Sequence, residues 1–174
     1  FEHKSVLDPI NYLVEEEGFE AVYIKPNKDG FVSASDFERA IDDSTGLVSI
    51  MHVNNELGTV QSVQEIAVIA KERGSLVHVD GAQGFCKINL DLGNSIDFYT
   101  ASAHKIYGPK GIGCLFINGR KARKNIRPIT FGGGQENGLR PGTLPTPLIV
   151  GFAKATEVCK ELFSKKGKAS LTET

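Results

Sequence analysis

The sequence has no surplus of charge of either sign: 20 lysines and arginines stand against 21 aspartates and glutamates, a net charge of -1. So even a balance sets up no broad field for a nucleic acid or an anionic membrane, and no nucleic-acid partner is expected. Cysteines are few. Cys86, Cys114 and Cys159 are too scattered for a disulfide framework, no Cys-x-x-Cys pair occurs, and a reducing compartment is expected. No apolar run approaches the roughly 20 residues that a bilayer span needs, and no signal-peptide pattern precedes the first periodic segment. A soluble protein is therefore expected. Internal repeats and low-complexity tracts are also missing. What remains is an ordinary globular composition over 174 residues, 40% hydrophobic and 24% charged, enough for one core and one domain over 1–174. The chain starts at Phe1 rather than Met, which fits a piece of something longer.

Helix-like and strand-like segments alternate. Val6, Ile10, Leu13 and Val14 recur at helical spacing up to Gly18, and Phe19 to Lys25 alternates as a strand would. Ser35-Asp36 can cap a short helix through Phe37, Ala40 and Ile41. Leu47 to Val53 is the nearly continuous apolar run of a buried parallel strand. Ser62, with Glu65 three residues on, can cap a helix carrying Ile66, Ile69 and Ala70, which Gly74 stops. Leu76 to Val79, Ile96 to Ser102 and Ile112 to Ile117 read as further strands, Gly132 to Gly142 as a loop, and Leu148 to Phe163 as a helix. From Ser164 the tail is polar and is expected to fray. The alternation predicts an α/β fold: a mostly parallel sheet with helices on both faces.

In such sheets ligands gather beyond the carboxyl ends of the strands. Asn55, Asp80 and the segment Ser102 to Lys105 each follow a predicted strand, so three elements aim polar groups at one rim. Within that set stand a lysine able to form a Schiff base, a carboxylate able to pair with a ring nitrogen, and donors suited to phosphate, the groups that pyridoxal phosphate (PLP) requires. Each residue also has a plainer reading. Lys105 is compatible with a surface lysine, Asp80 with a helix cap, and Asn55, Gln83 and Thr143 with ordinary loop residues. Lys110 competes with Lys105 but lies in a glycine-proline turn without the preceding Ser-x-His. Gly133 to Gly138 has P-loop glycine spacing, yet Leu139-Arg140 replaces the Lys-Ser/Thr that a nucleotide needs. His78, Asp80 and Cys86 match no zinc spacing, and no metal is expected.

Taken together, His3-Lys4-Ser5-Val6-Leu7-Asp8, His52-Val53-Asn54-Asn55-Glu56-Leu57-Gly58, His78-Val79-Asp80, Ser102-Ala103-His104-Lys105 and Arg140-Pro141-Gly142-Thr143-Leu144-Pro145-Thr146 resemble cysteine desulfurases. These are PLP enzymes of the class V aminotransferase group, fold type I. The resemblance covers nearly the whole chain, in family order. It implies that residues 1–174 are the central part of the large PLP-binding domain, without the N-terminal segment and the C-terminal small domain.

The resemblance also implies roles. Lys105 holds PLP covalently and moves protons at the substrate Cα. Asp80 pairs with the ring nitrogen, Gln83 and Asn55 supply neutral hydrogen bonds around the ring and its 3' oxygen, and Ser102 and His104 bind the phosphate. Thr143 reaches the phosphate of the partner subunit in a homodimer. His3 stacks on the ring and assists proton transfer, while His52 and His78 read as core or supporting histidines. The implied reaction converts L-cysteine to L-alanine and passes sulfur as a persulfide to an iron-sulfur scaffold protein, in the cytoplasm or, in a eukaryote, the mitochondrial matrix. The persulfide cysteine and the arginine for the substrate carboxylate belong to a later segment than any here. Cys86, Cys114 and Cys159 read as buried, inert thiols. Two other readings stand beside this one: a selenocysteine lyase, and a non-catalytic module that keeps only PLP or dimer contacts.

Overall fold

Four strands form a single sheet in the order β1 (Leu47–Met51), β2 (Leu76–Asp80), β3 (Phe98–Ser102) and β4 (Gly113–Ile117). The first three are parallel, in the register Met51–Asp80–Thr100, and β4 runs antiparallel to β3. The computed structural model describes residues 1–169, with side chains described through residue 163. Around the sheet lie α1 (Lys4–Glu17), α2 (Ala34–Ala40), α3 (Val63–Glu72), α4 (Gly119–Lys124) and α5 (Thr146–Ala169). No helix among the described residues is long and apolar enough to cross a membrane.

The period-two alternation sorts the strands into two faces. Val48 and Ile50, Val77 and Val79, and Tyr99 and Ala101 share one face, where they form a core with Val63, Ile66, Ala67 and Ala70 of α3 and with Phe37 of α2. Each fully buried aliphatic side chain there contributes about 1.5–3 kcal/mol. The opposite face carries Leu47, Leu76 and Phe98 at the amino ends and Ser49, His78, Asp80, Thr100 and Ser102, with Met51 among them, toward the carboxyl ends. Ser49 and His78 join across it, Oγ to Nδ1, at 2.8 Å. Ser5 and Val6, in the first turn of α1, line one cleft with Met51, His78, Asp80, Thr100 and Ser102 of this face.

Several local expectations change. The alternating stretch from Phe19 to Lys25 forms no strand: Phe19, Val22 and Tyr23 are exposed, and no described strand lies alongside to take up its backbone groups. Ser33, not Ser35, caps α2, accepting the Ser35 N–H at 3.2 Å. Ser62 occupies the N-cap of α3 with ψ 56° and makes no side-chain cap bond, so the predicted capping box is not closed. Gly18 ends α1 as expected, in the left-handed conformation (φ 71°) that costs glycine least. Helix α4 had no periodic signal in its lysines and arginines. The tail expected to fray from Ser164 continues helical to Ala169, and residues 170–174 lie outside the described residues.

The thiols differ too: Cys159 is buried and Cys86 half-buried, but Cys114 is exposed, because β4 is the edge strand and has no described neighbour on its outer side.

One buried charge ties three elements together. Asp97, 3% exposed, accepts Lys71 Nζ of α3 at 2.7 and 2.9 Å and the Val77 N–H of β2 at 2.8 Å, just before β3 begins. Removing it strands a partly buried ammonium and a buried amide. Asp97→Ala is expected to cost about 2–4 kcal/mol of stability in denaturant titration.

Burial pushes both His52 and His78 below the ordinary imidazole value of 6.5, with the Asp80 charge opposing at His78. A base with a depressed folded pKa binds fewer protons folded than unfolded, so its stability contribution is complete above 6.5 and is lost as pH falls below it. His78→Gln keeps a partner for Ser49 without the titration. Its melting temperature is expected to drop less than the parent's between about pH 7 and about pH 5.

Candidate active site

The carboxyl ends of β1, β2 and β3 open into a cleft of about 510 Å³, within the range of small-molecule sites. Its walls bring together His3, Asn55, Asp80, Gln83, Ser102, His104 and Lys105 from segments spread over a hundred residues of chain. Thr143 is not among them; it is exposed on the glycine-rich loop.

Asp80 closes β2 and is 8% exposed. Its Oδ1 accepts the Ala82 N–H at 2.9 Å and the Thr100 hydroxyl at 3.5 Å, while Oδ2 has no hydrogen-bond partner among the described residues. One oxygen therefore fixes the side chain and the other is left for a ligand. The turn that follows is held by Gly81 N–H to Thr100 O at 3.0 Å and by Phe85 N–H to Gly81 O at 2.8 Å. A side chain at Gly81 would place its Cβ 1.9 Å from the Tyr99 ring, so only glycine lets the chain turn here and bring Gln83 to the cleft.

The lysine segment depends on a short 3-10 turn, Ala103–Ile106. With three residues per turn, positions 103 and 106 lie on one side. Ala103 and Ile106 are both fully buried, at 0% and 1%, which turns His104 and Lys105 the other way, into the cleft. Helix α5 packs against this turn, and its Phe152 meets Phe85 edge-on at 5.9 Å. Ser102 Oγ and His104 Nδ1 are 2.8 Å apart, a hydroxyl and an imidazole side by side. Lys105 is half-buried, and its Nζ has no hydrogen-bond or ion-pair partner among the described residues.

On the β1 side, Asn54 fixes the turn: its Oδ1 accepts the Glu56 and Leu57 N–H groups at 3.0 and 2.9 Å, leaving Asn55 to face the cleft. His3 serves two ends at once. It caps α1, with Nδ1 accepting the Ser5 N–H at 3.1 Å, so Nε2 is the ring nitrogen left for the cleft. None of that capping role was visible in the sequence.

Thr100, which the sequence did not single out, and His78, read from it as a core or supporting histidine, both stand in the cleft wall. The signal was there in the alternation: Thr100 sits two residues before Ser102, and His78 two before Asp80, each pair on one face of its strand. Lys110, the competing lysine, lies outside the cleft, and so do Cys86, Cys114 and Cys159.

The arrangement offers an unpaired amine, a held carboxylate with a free oxygen and a hydroxyl–imidazole pair around one space. These are groups that can attach a carbonyl compound, stabilise a protonated ring nitrogen and bind a phosphate.

The chain is similar to several known proteins. Cysteine desulfurase, mitosomal, of Trachipleistophora hominis is 53% identical over 161 residues, covering 92% of this chain and 36% of that protein. Among solved structures, "SspA in complex with cysteine" superposes with a TM-score of 0.83 at 47% identity, over 90% of this chain and 45% of that one. DndA from Streptomyces lividans gives a TM-score of 0.86 at 42% identity, over 94% and 47%. The chain thus spans less than half the length of the relatives it matches. The aminotransferase class-V family profile runs through residues 1–173 and takes in every residue of the cleft, so the chain belongs to the aminotransferase class-V family.

Proposed function

We propose that the protein carrying this chain is a PLP-dependent cysteine desulfurase and that residues 1–174 form the central part of its large cofactor domain. The observation that carries this reading is the meeting of Asp80, Lys105 and the Ser102–His104 pair, from two strand ends and a buried turn, around one cleft. Names of relatives support the same activity.

The cleft residues fit the cofactor by their chemistry. When bound, PLP supplies an electron sink for breaking the Cα–H bond of an amino acid. Asp80 Oδ2, without a partner, holds a proton at the ring nitrogen, because an adjacent carboxylate favours the cationic form. Ser102, His104 and nearby amides bind phosphate oxygens, and Thr143, exposed and outside this cleft's lining, serves the phosphate of a partner subunit in a homodimer. Asn55 and Gln83 donate to the ring oxygen and orient the ring. Lys105 provides the amine for covalent attachment and then moves the proton at Cα, with His3 Nε2 placed to assist.

The substrate is L-cysteine and the products are L-alanine and a protein persulfide for an iron-sulfur scaffold. None of the three thiols here lines the cleft, so the persulfide thiol is assigned to a residue outside 1–174.

In the full-length protein, Lys105→Ala is expected to lower alanine formation from cysteine by about 10²–10⁴-fold or more, and borohydride followed by peptide mapping should attach the cofactor to Lys105 in the parent protein. A cofactor adduct on Lys110 or scattered lysines would contradict the assignment. Ser102→Ala should weaken PLP binding by about tenfold or more, measured by equilibrium dialysis, since a bond to charged phosphate is lost.

A further inference from the structure

Glu2 stands beside the cleft and has no part in the roles above. Its carboxylate reaches far along the chain: Oε1 accepts the Met51 backbone N–H at 2.9 Å, at the end of β1. Next to it, Asn54 Nδ2 donates to the Phe1 carbonyl at 3.2 Å, so residues 1 to 3 are stitched to the end of β1. Met51 is the register partner of Asp80. The Glu2 carboxyl, held at the end of β1, therefore lies at the strand end next to the one that carries Asp80.

The two carboxyls are served unequally. Asp80 accepts from an amide and a hydroxyl through Oδ1, and its Oδ2 has no partner among the described residues. Glu2 has the single bond from Met51, and its Oε2 is buried with no partner. An ionised oxygen in that position is costly, and a second negative charge beside Asp80 adds to the cost. A proton on Glu2 removes both penalties.

We propose that Glu2 is a positioning residue: anchored on Met51, it seats His3 at the cleft and, by carrying a proton, places no second negative charge beside Asp80. The inference rests on the reading that Asp80 serves the cofactor nitrogen. Burial, the largest influence, lifts the Glu2 carboxyl from 4.5 to about 7; the Met51 bond lowers it and the Asp80 charge raises it. His52, just after β1, and His78, in the middle of β2, are held toward their neutral forms by burial. As pH rises through about 7, Glu2 loses its proton and a second negative charge appears near Asp80, which strengthens the protonated form of a nearby ring nitrogen.

The test uses the full-length protein with Glu2→Gln, Glu2→Ala and Asp80→Asn variants. In cofactor-free protein, the Glu2 side-chain carboxyl is followed by ¹³C NMR against pH and identified by its disappearance in Glu2→Gln. It is expected to titrate near 7 and to move lower in Asp80→Asn. The His3 ring signals should shift in Glu2→Ala and stay in place in Glu2→Gln, which keeps an oxygen for Met51. In PLP-loaded protein, the cofactor absorbance should show a step near pH 7 that Glu2→Gln removes while binding PLP within about threefold of the parent. A Glu2 carboxyl titrating near 4.5, one indifferent to Asp80→Asn, or an absorbance step that survives in Glu2→Gln would overturn the proposal. Failure of the protein to bind PLP at all would sink the cofactor reading instead, and the cofactor-free titration would still decide the role of Glu2.

Discussion

Everything at the cleft depends on the parallel pairing of β1, β2 and β3 in the register Met51–Asp80–Thr100. Parallel strands finish at the same edge, so their carboxyl ends present side chains together, and the hydrogen-bond ladder fixes how far each reaches. A slip of one residue would exchange the two faces. Asp80 would then enter the apolar core against α3, and Val79 would face the ligand. The core residues Val48, Ile50, Val77 and Val79 oppose such a slip, because all would lose their packing with Ile66, Ala67 and Ala70. Apolar burial on one face thus holds the chemistry of the other in place.

The second constraint is local. After β3 the chain must turn sharply, and the Ala103–Ile106 turn does so by burying its first and last residues against α5. That leaves His104 and Lys105 nowhere to go but the cleft. Lys105 is therefore positioned by small and aliphatic neighbours rather than by a polar partner of its own, and its amine is left unpaired among the described residues. Gly81 acts similarly on the other side: by accepting the Tyr99 ring where a side chain would sit, it lets the Asp80–Gln83 turn close on the sheet.

Much of this was legible in the chain. The apolar runs before Asp80 and Ser102, and the Ser-x-His-Lys pattern, were enough to place the carboxylate and the lysine at strand ends, because strand periodicity and the α/β rule act over short stretches. Where the reading failed, the deciding partner was distant. Phe19 to Lys25 has strand alternation but no described neighbour to pair with. Cys114 reads as a buried strand residue, and its exposure follows from β4 being the edge. Ser62 and Glu65 have the residues of a capping box, yet the backbone at Ser62 does not present them.

By itself, the sequence determined the alternation of helices and strands, the polar residues delivered to the strand ends and the family to which they belong. Only the tertiary structure decided that Thr100 and His78 join the cleft wall, that His3 spends one ring nitrogen capping α1, that Thr143 stands apart, and that Glu2 meets Met51 beside Asp80. The reason is physical: periodicity and turn chemistry are set by neighbours within a few residues, whereas burial, desolvation and charge coupling depend on groups that only the sheet brings together.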